Sequence, residues 1–114
     1  MTKSQRDKIT RDVATEMAIL RLLRHPRVVQ VYGVVTTDPT EIAIVMEYCA
    51  GGSLRALLDT RKTAVGAPEF ARWIADIAVG MSYLYSQGVE HRDLKSANCL
   101  LDEAQKRVKV ADFG

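Results

Sequence analysis

The stretch EHRDLKSAN, residues 90–98, constrains the fold of this chain more than any other. It is densely polar, and it stands between a long pattern with helical periodicity and two short aliphatic runs, CLLD and VKVAD. A polar segment bounded in this way is typical of a loop, because it offers no apolar face to a core. The sequence therefore predicts a helix, a polar loop and a β-hairpin in that order.

The helix before this loop is predicted over residues 68–87. Pro68 suits the first turn of a helix, and Gly88 suits the position just beyond its end. The apolar face at helical spacing consists of Phe70, Trp73, Ile74, Ile77, Met81 and Leu84. After the loop, residues 99–102 and 108–112 are predicted to pair as a small hairpin.

The first half of the chain contains a second helix and a second hairpin. The helix is predicted over about residues 4–23, with a weak capping box formed by Ser4 and Asp7. Its apolar stripe consists of Ile9, Val13, Met17, Leu20 and Leu23. Residues 28–35 and 42–48 are predicted to be antiparallel strands joined by the turn TTDPT.

A glycine pair separates the two halves. Gly51 and Gly52 form a flexible joint, and Ser53 is a suitable N-cap for a short helix that runs to about Asp59. The order of these elements predicts an α+β fold in which one helix and a hairpin precede a mostly helical part.

The overall charge and the cysteines exclude some classes of partner and site. The net charge of +2, from 16 basic and 14 acidic residues, is too balanced to indicate nucleic acid or a membrane surface as a partner. No apolar run approaches the roughly 20 residues that span a bilayer, and no secretory signal is visible. Cys49 and Cys99 have no metal-ligand spacing and are predicted to be small apolar residues in a reducing, cytoplasmic compartment.

The polar loop and the end of the last predicted strand contain side chains that could bind a metal ion and accept a proton. The amide oxygen of Asn98 and the carboxylate of Asp112 are hard oxygen ligands of the kind Mg²⁺ prefers. A second carboxylate, Asp93, is left to take a proton from a hydroxyl group. A metal that neutralises phosphate charge, together with a carboxylate that orients the nucleophile, is typical of phosphoryl transfer.

These motifs resemble those of the eukaryotic-type protein kinases over nearly the whole chain. HRDLKSANCLLD with VKVADFG is similar to the catalytic and magnesium loops, IVMEYCAGGSL to the hinge between two lobes, and EMAILRLLRHPRVVQVYG to the regulatory helix and following strand. The resemblance implies a partial kinase domain over residues 1–114. Its N-lobe part would cover residues 1–48, its hinge 47–53 and its C-lobe part 54–114.

The KSAN form of the loop is most similar to the tyrosine-kinase-like branch, whose members mostly phosphorylate Ser and Thr. The resemblance therefore implies ATP and Mg²⁺ as cofactors and a protein substrate with a Ser or Thr acceptor. Asp93 would orient and deprotonate the substrate hydroxyl, and Lys95 would neutralise charge on the transferred phosphate. Asn98 and Asp112 would hold magnesium.

The resemblance also implies an adenine site. Met46 would be the gatekeeper beside the adenine, and Glu47 and Cys49 would bond it through backbone groups. Leu100 and Leu54 would pack below it.

Other residues receive regulatory roles from the same resemblance. Arg92 would meet a phosphate on an activation loop. Four side chains would stack as the regulatory spine: Leu20, Val31, His91 and Phe113.

Glu16 supports the resemblance independently. At about 100° per residue it falls inside the arc of the first apolar stripe, where a carboxylate is costly unless it meets a cation. In the family that cation is a strand lysine. The alternative, a Glu at the edge of the stripe that reaches solvent, fits the spacing equally well, and the motif that follows favours the paired role.

Two hypotheses of different classes follow. In the first, the segment belongs to an active serine/threonine kinase, because the HRD, Asn and DFG positions are all intact. In the second, it is a non-catalytic, kinase-like binding module, because the chain contains no glycine-rich loop, strand lysine or activation loop. We expect a chain that lacks these parts to be inactive and marginally stable by itself.

Overall fold

A computed structural model describes residues 2–38, 41–91 and 93–111. Arg92, Asp112 and Phe113 lie outside the described residues, as does part of the predicted turn TTDPT. The elements in chain order are α1 (Lys3–Leu20), β1 (Val31–Asp38), β2 (Glu41–Met46), α2 (Leu54–Thr60), α3 (Ala67–Ser86), β3 (Cys99–Leu101) and β4 (Val108–Val110). A short 3₁₀ turn at Ser96–Asn98 precedes β3. The predicted α+β class is confirmed.

The described chain divides into two compact units, one of residues 2–24 and 30–47 and one of residues 25–29 and 48–111. In the first unit, α1 begins at Lys3, one residue earlier than predicted, and ends at Leu20, three residues earlier than predicted. The Thr2 hydroxyl accepts a hydrogen bond from the Gln5 backbone N–H, and the Gln5 side chain accepts one from the Thr2 N–H. This capping box replaces the predicted one at Ser4 and Asp7, because Thr2 already satisfies the free N–H groups of the first turn.

Only the C-terminal part of the predicted apolar stripe on α1 is buried. Met17, Leu20 and Leu23 are buried, whereas Ile9 is 44% exposed and Val13 is half-buried. The predicted stripe is therefore buried only in its C-terminal part. Helix α1 packs against β1, and the burial pattern indicates that its last turns make this contact.

Strands β1 and β2 form the predicted antiparallel hairpin, with Val31 opposite Met46 and Val34 opposite Ile44. The first strand begins three residues later than predicted. Val28 and Val29 belong instead to the second unit, where Val28 makes a parallel bridge to Val110 and the Val29 N–H donates to the Val110 carbonyl. The run of residues that was predicted to form one strand thus contributes to two different sheets.

The core of the second unit lies between α2, α3 and the small hairpin. It is built from Leu54, Trp73, Cys99, Leu101 and Val108, with Leu57, Val65 and Ile77 packed against it. The alternation of the hairpin puts one face of β3 and β4 into this core. The predicted N-cap is confirmed, since the Ser53 hydroxyl accepts from the Ala56 N–H at 3.0 Å.

Helix α3 buries a narrower face than its apolar residues suggested. Its buried positions are Trp73, Asp76, Gly80 and Leu84. Phe70 and Ile74, which belong to the predicted apolar face, are exposed. The buried residues follow one another at intervals of three and four, so a single stripe faces the hairpin while the rest of the apolar arc lies outside it.

Gly80 is required by this packing. A Cβ atom there would lie 2.6 Å from the Arg27 carbonyl oxygen and 3.0 Å from a methyl group of Val110. We expect Gly80→Ala to lower the free energy of unfolding by about 1–3 kcal/mol, because steric overlap outweighs the better helix propensity of Ala. Urea denaturation measures the change. The matched control is Gly33→Ala, whose Cβ meets nothing within 4 Å, and equal stability of the two variants would contradict the prediction.

Candidate catalytic loop

The polar loop predicted from the sequence brings Asp93, Lys95 and Asn98 together within the second unit. The Lys95 ammonium lies 3.3 Å from the Asp93 carboxylate, and both side chains are largely exposed. The Asn98 amide nitrogen donates to the Asp93 carbonyl at 2.7 Å, with a longer contact of 3.4 Å to its carboxylate. A carboxylate, an ammonium and an amide therefore share one small region, with the carboxylate open to solvent.

Asn98 is the fixed point of the loop, with only 6% of its surface exposed. Its backbone N–H donates to the Lys95 carbonyl, and its own carbonyl accepts from the Ala111 N–H at 2.8 Å. Because its amide nitrogen is engaged by Asp93, its amide oxygen remains as the group that could bind a ligand.

His91 joins the loop to the end of β4 through both ring nitrogens. Its Nδ1 accepts from the Asp93 backbone N–H at 3.2 Å, which leaves Nε2 to donate to the Ala111 carbonyl at 2.8 Å. Both contacts are to the backbone, so the ring acts as a brace for the loop.

Ala111 is consequently held from two sides, by Asn98 and by His91. It precedes Asp112, the second predicted magnesium ligand, which lies outside the described residues. The structure thus anchors the backbone immediately before that position to the loop that contains Asp93.

A buried carboxylate missed by the sequence analysis stabilises the strand that leads to this position. Asp76 on α3 is 5% exposed, and its carboxylate accepts two hydrogen bonds from the Arg107 guanidinium, each at 2.9 Å. It also accepts from the Val108 N–H at 3.0 Å, and the Arg27 guanidinium lies 3.5 Å away. The signal that could have identified it is the one used for Glu16, a carboxylate within an apolar helical stripe.

Opposing effects act on the pKa of Asp76. Burial by itself would raise the pKa. Hydrogen bonds from Arg107 and Val108, with the positive charges of Arg107 and Arg27, outweigh burial and hold the pKa below its ordinary value. The carboxylate is therefore ionised at neutral pH and compensates the two arginines.

Arg27 also makes hydrogen bonds to the backbone of β4. The Val110 N–H donates to the Arg27 carbonyl at 2.9 Å, and the Arg27 guanidinium donates to the Val108 carbonyl at 3.3 Å. Strand β4 is thus fixed along its whole length between β3 and residues 27–29.

The predicted hinge residues that fall in the second unit lie beside β3. The Gly51 N–H donates to the Leu101 carbonyl, and a Cβ at Gly51 would lie 2.0 Å from the Asp102 carbonyl oxygen, so no larger residue fits. Cys49 is half-buried, with its carbonyl accepting from the Gly52 N–H.

The two residues predicted to pack below the adenine differ in burial. Leu54 is buried in the core, and Leu100 is half-buried on the outer side of β3.

The predicted adenine residues Met46 and Glu47 belong to the first unit. Met46 ends β2 and is partly exposed. The Glu47 N–H donates to the Gln30 carbonyl at 2.8 Å, and its carboxylate accepts from the Gln30 N–H at 3.1 Å. Its side chain is thus bound within its own unit.

Two residues predicted for the regulatory spine, Leu20 and Val31, lie in this unit, and both are buried. Glu16, in the same unit, is exposed. Because Glu16 is exposed, its carboxylate does not pay the desolvation cost that a position inside the apolar stripe would impose.

The two cysteines are free thiols. Burial raises the pKa of the Cys99 thiol, which donates to the Lys95 carbonyl at 3.5 Å and so is protonated and unreactive. Within residues 2–38, 41–91 and 93–111, no helix has the length and apolar character needed to cross a membrane.

The same described ranges contain no cluster of three or more His, Cys, Asp and Glu side chains that could hold a metal ion. A metal site here would therefore depend on the amide oxygen of Asn98 together with a carboxylate from outside these ranges. Asp112 is the carboxylate that the sequence predicts for this role.

Comparison with known proteins matches the whole chain to one family. The sequence model for protein tyrosine and serine/threonine kinases covers residues 1–114. The chain is 42% identical over 107 residues to mitogen-activated protein kinase kinase kinase dlk-1 of Caenorhabditis elegans, covering 94% of this chain and 11% of the relative.

Two Arabidopsis thaliana proteins are similar to the same degree. Serine/threonine-protein kinase STY46 is 42% identical over 106 residues, which are 93% of this chain and 18% of that protein. Serine/threonine/tyrosine-protein kinase HT1 is 42% identical over 110 residues, which are 96% of this chain and 28% of that protein. The chain thus spans less than a third of the length of these relatives.

Proposed function

The chain belongs to the protein tyrosine and serine/threonine kinase family, and we propose that it supplies the catalytic loop for ATP- and magnesium-dependent phosphoryl transfer to Ser and Thr hydroxyls of proteins. The observation that carries the proposal is the grouping of Asp93, Lys95 and Asn98 on one braced loop. The sequence similarity to kinases named for Ser and Thr supports the acceptor class.

The proposed role of Asp93 is that of a general base. Its carboxylate is exposed, and its backbone N–H and carbonyl are both held, by His91 and Asn98. The carboxylate can therefore accept the proton of an incoming hydroxyl while the hydroxyl oxygen attacks the γ-phosphorus. The bond between that phosphorus and the ADP oxygen breaks in the same displacement.

Lys95 supplies positive charge beside the base. Its ammonium lies 3.3 Å from the Asp93 carboxylate. It can therefore also reach a phosphoryl oxygen that comes close to that carboxylate. We propose that it stabilises charge on the transferred phosphoryl group and that its position limits the acceptor to short hydroxyl side chains.

The residues present fit a magnesium ion in their chemistry. The Asn98 amide is oriented by its donor bond to Asp93, so the group left for a ligand is an oxygen, as Mg²⁺ prefers. Asn98 with Asp112 would hold the ion, and the bound ion would neutralise phosphate charge. Met46, Glu47, Cys49 and Leu100 remain the proposed contacts of the adenine, and the free thiols support a cytoplasmic location.

We expect Ser and Thr to be the acceptors of an active kinase that contains this segment. Phosphorylation of a mixed peptide library, read by mass spectrometry, should give at least about tenfold more phosphoserine and phosphothreonine than phosphotyrosine, a factor that corresponds to about 1.4 kcal/mol. Lys95→Ala should reduce transfer to all acceptors, whereas the exposed control Lys62→Ala should not. A dominant phosphotyrosine product would exclude the proposed acceptor class.

The same assay separates catalysis from the alternative of a non-catalytic binding module. A binding module would retain nucleotide or partner binding and show no transfer that depends on Asp93. A kinase would show transfer that Asp93→Asn abolishes.

A further inference from the structure

A cleft in the first unit contains none of the loop residues Asp93, Lys95 and Asn98, and it shares one residue, Glu47, with the proposed contacts of the adenine. It has a volume of about 790 Å³ and lies beside the end of α1 and the start of β1. We call it the arginine cleft, and its walls are formed by Arg21, Leu22, Arg24, Gln30, Tyr32 and Glu47.

The walls of the arginine cleft are tied together by Gln30. Its side-chain amide donates to the carbonyls of Arg21, at 3.3 Å, and Val31, at 3.1 Å. Its backbone exchanges hydrogen bonds with Glu47, which is joined in this way to the start of β1. The cleft is therefore pre-formed, which reduces the ordering cost of binding a ligand.

The cleft has a net positive charge. Two guanidinium groups line it, against one carboxylate, Glu47, that already accepts the Gln30 N–H. Arg21 is exposed, and within the described chain its guanidinium makes no hydrogen bond or ion pair. A favourable interaction with the C-terminal dipole of α1 accounts for a basic residue at this position, but it does not account for the apolar residues beside it.

Those apolar residues are unusually open to solvent. Leu22, next to Arg21, is 79% exposed, and Tyr32 is 55% exposed. Arginine and tyrosine are enriched at the centres of protein interfaces, where an apolar contact and a charged hydrogen bond are made together. The cleft thus offers both a cationic and an apolar contact within one concave surface.

We propose that the arginine cleft binds an extended acidic peptide segment of a protein partner, in which Asp or Glu side chains flank one aromatic or aliphatic residue. The planar guanidinium of Arg21 matches a carboxylate in a two-bond contact. The apolar residue of the peptide packs on Leu22 and Tyr32. A concave site with two cations suits a peptide better than nucleic acid or a lipid surface, both of which require many phosphate contacts.

The test is a fluorescence-anisotropy titration of the 114-residue chain with a short labelled peptide of Glu and Asp residues around one central Phe. We expect saturable binding that weakens with added salt. Replacing the acids with Gln and Asn, or the Phe with Ser, should each weaken binding about tenfold or more. Equal affinity for the neutral peptide would overturn the proposal, and so would a phosphoserine peptide that binds at least about tenfold more tightly than the carboxylate peptide.

Matched variants locate the site. Arg21→Glu should weaken peptide binding about tenfold or more, whereas Arg11→Glu, an exposed reversal on the same helix but outside the cleft, should change it less than about twofold. Far-UV circular dichroism verifies that each variant is folded. Leu22→Asp provides a second reading, because that side chain is too exposed to be needed for folding.

Binding that survives both Arg21→Glu and Leu22→Asp would place the peptide elsewhere and contradict the proposal. So would binding to phosphatidylserine vesicles that requires Arg21 when no peptide binds. Because Arg21 and Asp93 lie in different units, failure of this proposal and failure of the proposed phosphoryl transfer give separate results.

Discussion

Asp93→Asn should abolish phosphoryl transfer in an active kinase that contains this segment while leaving nucleotide binding intact. The substitution keeps the shape of the side chain and both backbone hydrogen bonds, to His91 and Asn98, so the loop should keep its conformation. An amide cannot accept the proton of the acceptor hydroxyl. We therefore expect kcat to fall about 10²–10⁴-fold, the usual contribution of a general base, with the dissociation constant for ATP changed less than about twofold.

The measurement combines steady-state transfer to a peptide with calorimetric titration of Mg-ATP. The control is Glu103→Gln, which removes an exposed carboxylate from the same unit and should leave kcat unchanged. Near-normal transfer by Asp93→Asn would show that the base is another group. Asp112→Asn should differ from both variants, because the loss of a magnesium ligand weakens the binding of Mg-ATP itself.

Asp76→Ala should produce a large loss of stability. It removes the carboxylate that accepts hydrogen bonds from the guanidinium groups of Arg107 and Arg27 and from the Val108 N–H. Breaking a buried pair in this way leaves an uncompensated charge and an unpaired donor, so we expect the free energy of unfolding to fall by about 3 kcal/mol. Arg107→Ala should cost less, because that side chain is 50% exposed and solvent screens its charge.

Denaturant unfolding of an active kinase that contains this segment measures both effects. Asp59→Ala is the matched control, since Asp59 also pairs with an arginine on a helix but at an exposed site, and it should cost less than about 1 kcal/mol. Similar values for Asp76→Ala and Asp59→Ala would show that the buried network contributes nothing beyond a surface ion pair.

The lowered pKa of Asp76 adds a pH dependence to this prediction. A carboxyl whose pKa is lower in the folded than in the unfolded state stabilises the fold fully above its ordinary pKa, about 3.9. That contribution is lost as the pH falls through the lowered folded value. The difference in unfolding free energy between the wild-type chain and Asp76→Asn should therefore shrink below about pH 4. A difference that stays constant to pH 2 would contradict an ionised Asp76.

Local patterns predicted the elements around the catalytic loop well. Ser53, Pro68 and Gly88 lie at the helix ends where their backbone preferences place them. Strands β3 and β4 pair as the predicted antiparallel hairpin. Caps, turns and alternation depend on neighbours within a few residues, so they can be inferred without knowledge of the fold.

The extent of each buried face could not be predicted in this way. A carboxylate within an apolar stripe was identified at Glu16, which is exposed, whereas the buried one is Asp76. Both acids occupy similar positions in a helical pattern. The difference arises because β4 and Arg27 cover α3 at Asp76, whereas Glu16 is exposed and its carboxylate makes no hydrogen bond or ion pair with the described residues.

Motifs and their spacing were enough to predict the kinase family, the order of helices and strands, and the loop residues Asp93, Lys95 and Asn98, because motifs and spacing are properties of the chain. The fold was needed to show that Asn98 is buried and accepts a hydrogen bond from Ala111, that Val28 and Val29 pair with β4 and not within the first hairpin, and that Asp76 compensates two arginines. These features depend on which distant segments meet. The free energy of such contacts depends on burial and geometry between residues far apart in the chain. Periodicity along the chain gives no information about these contacts.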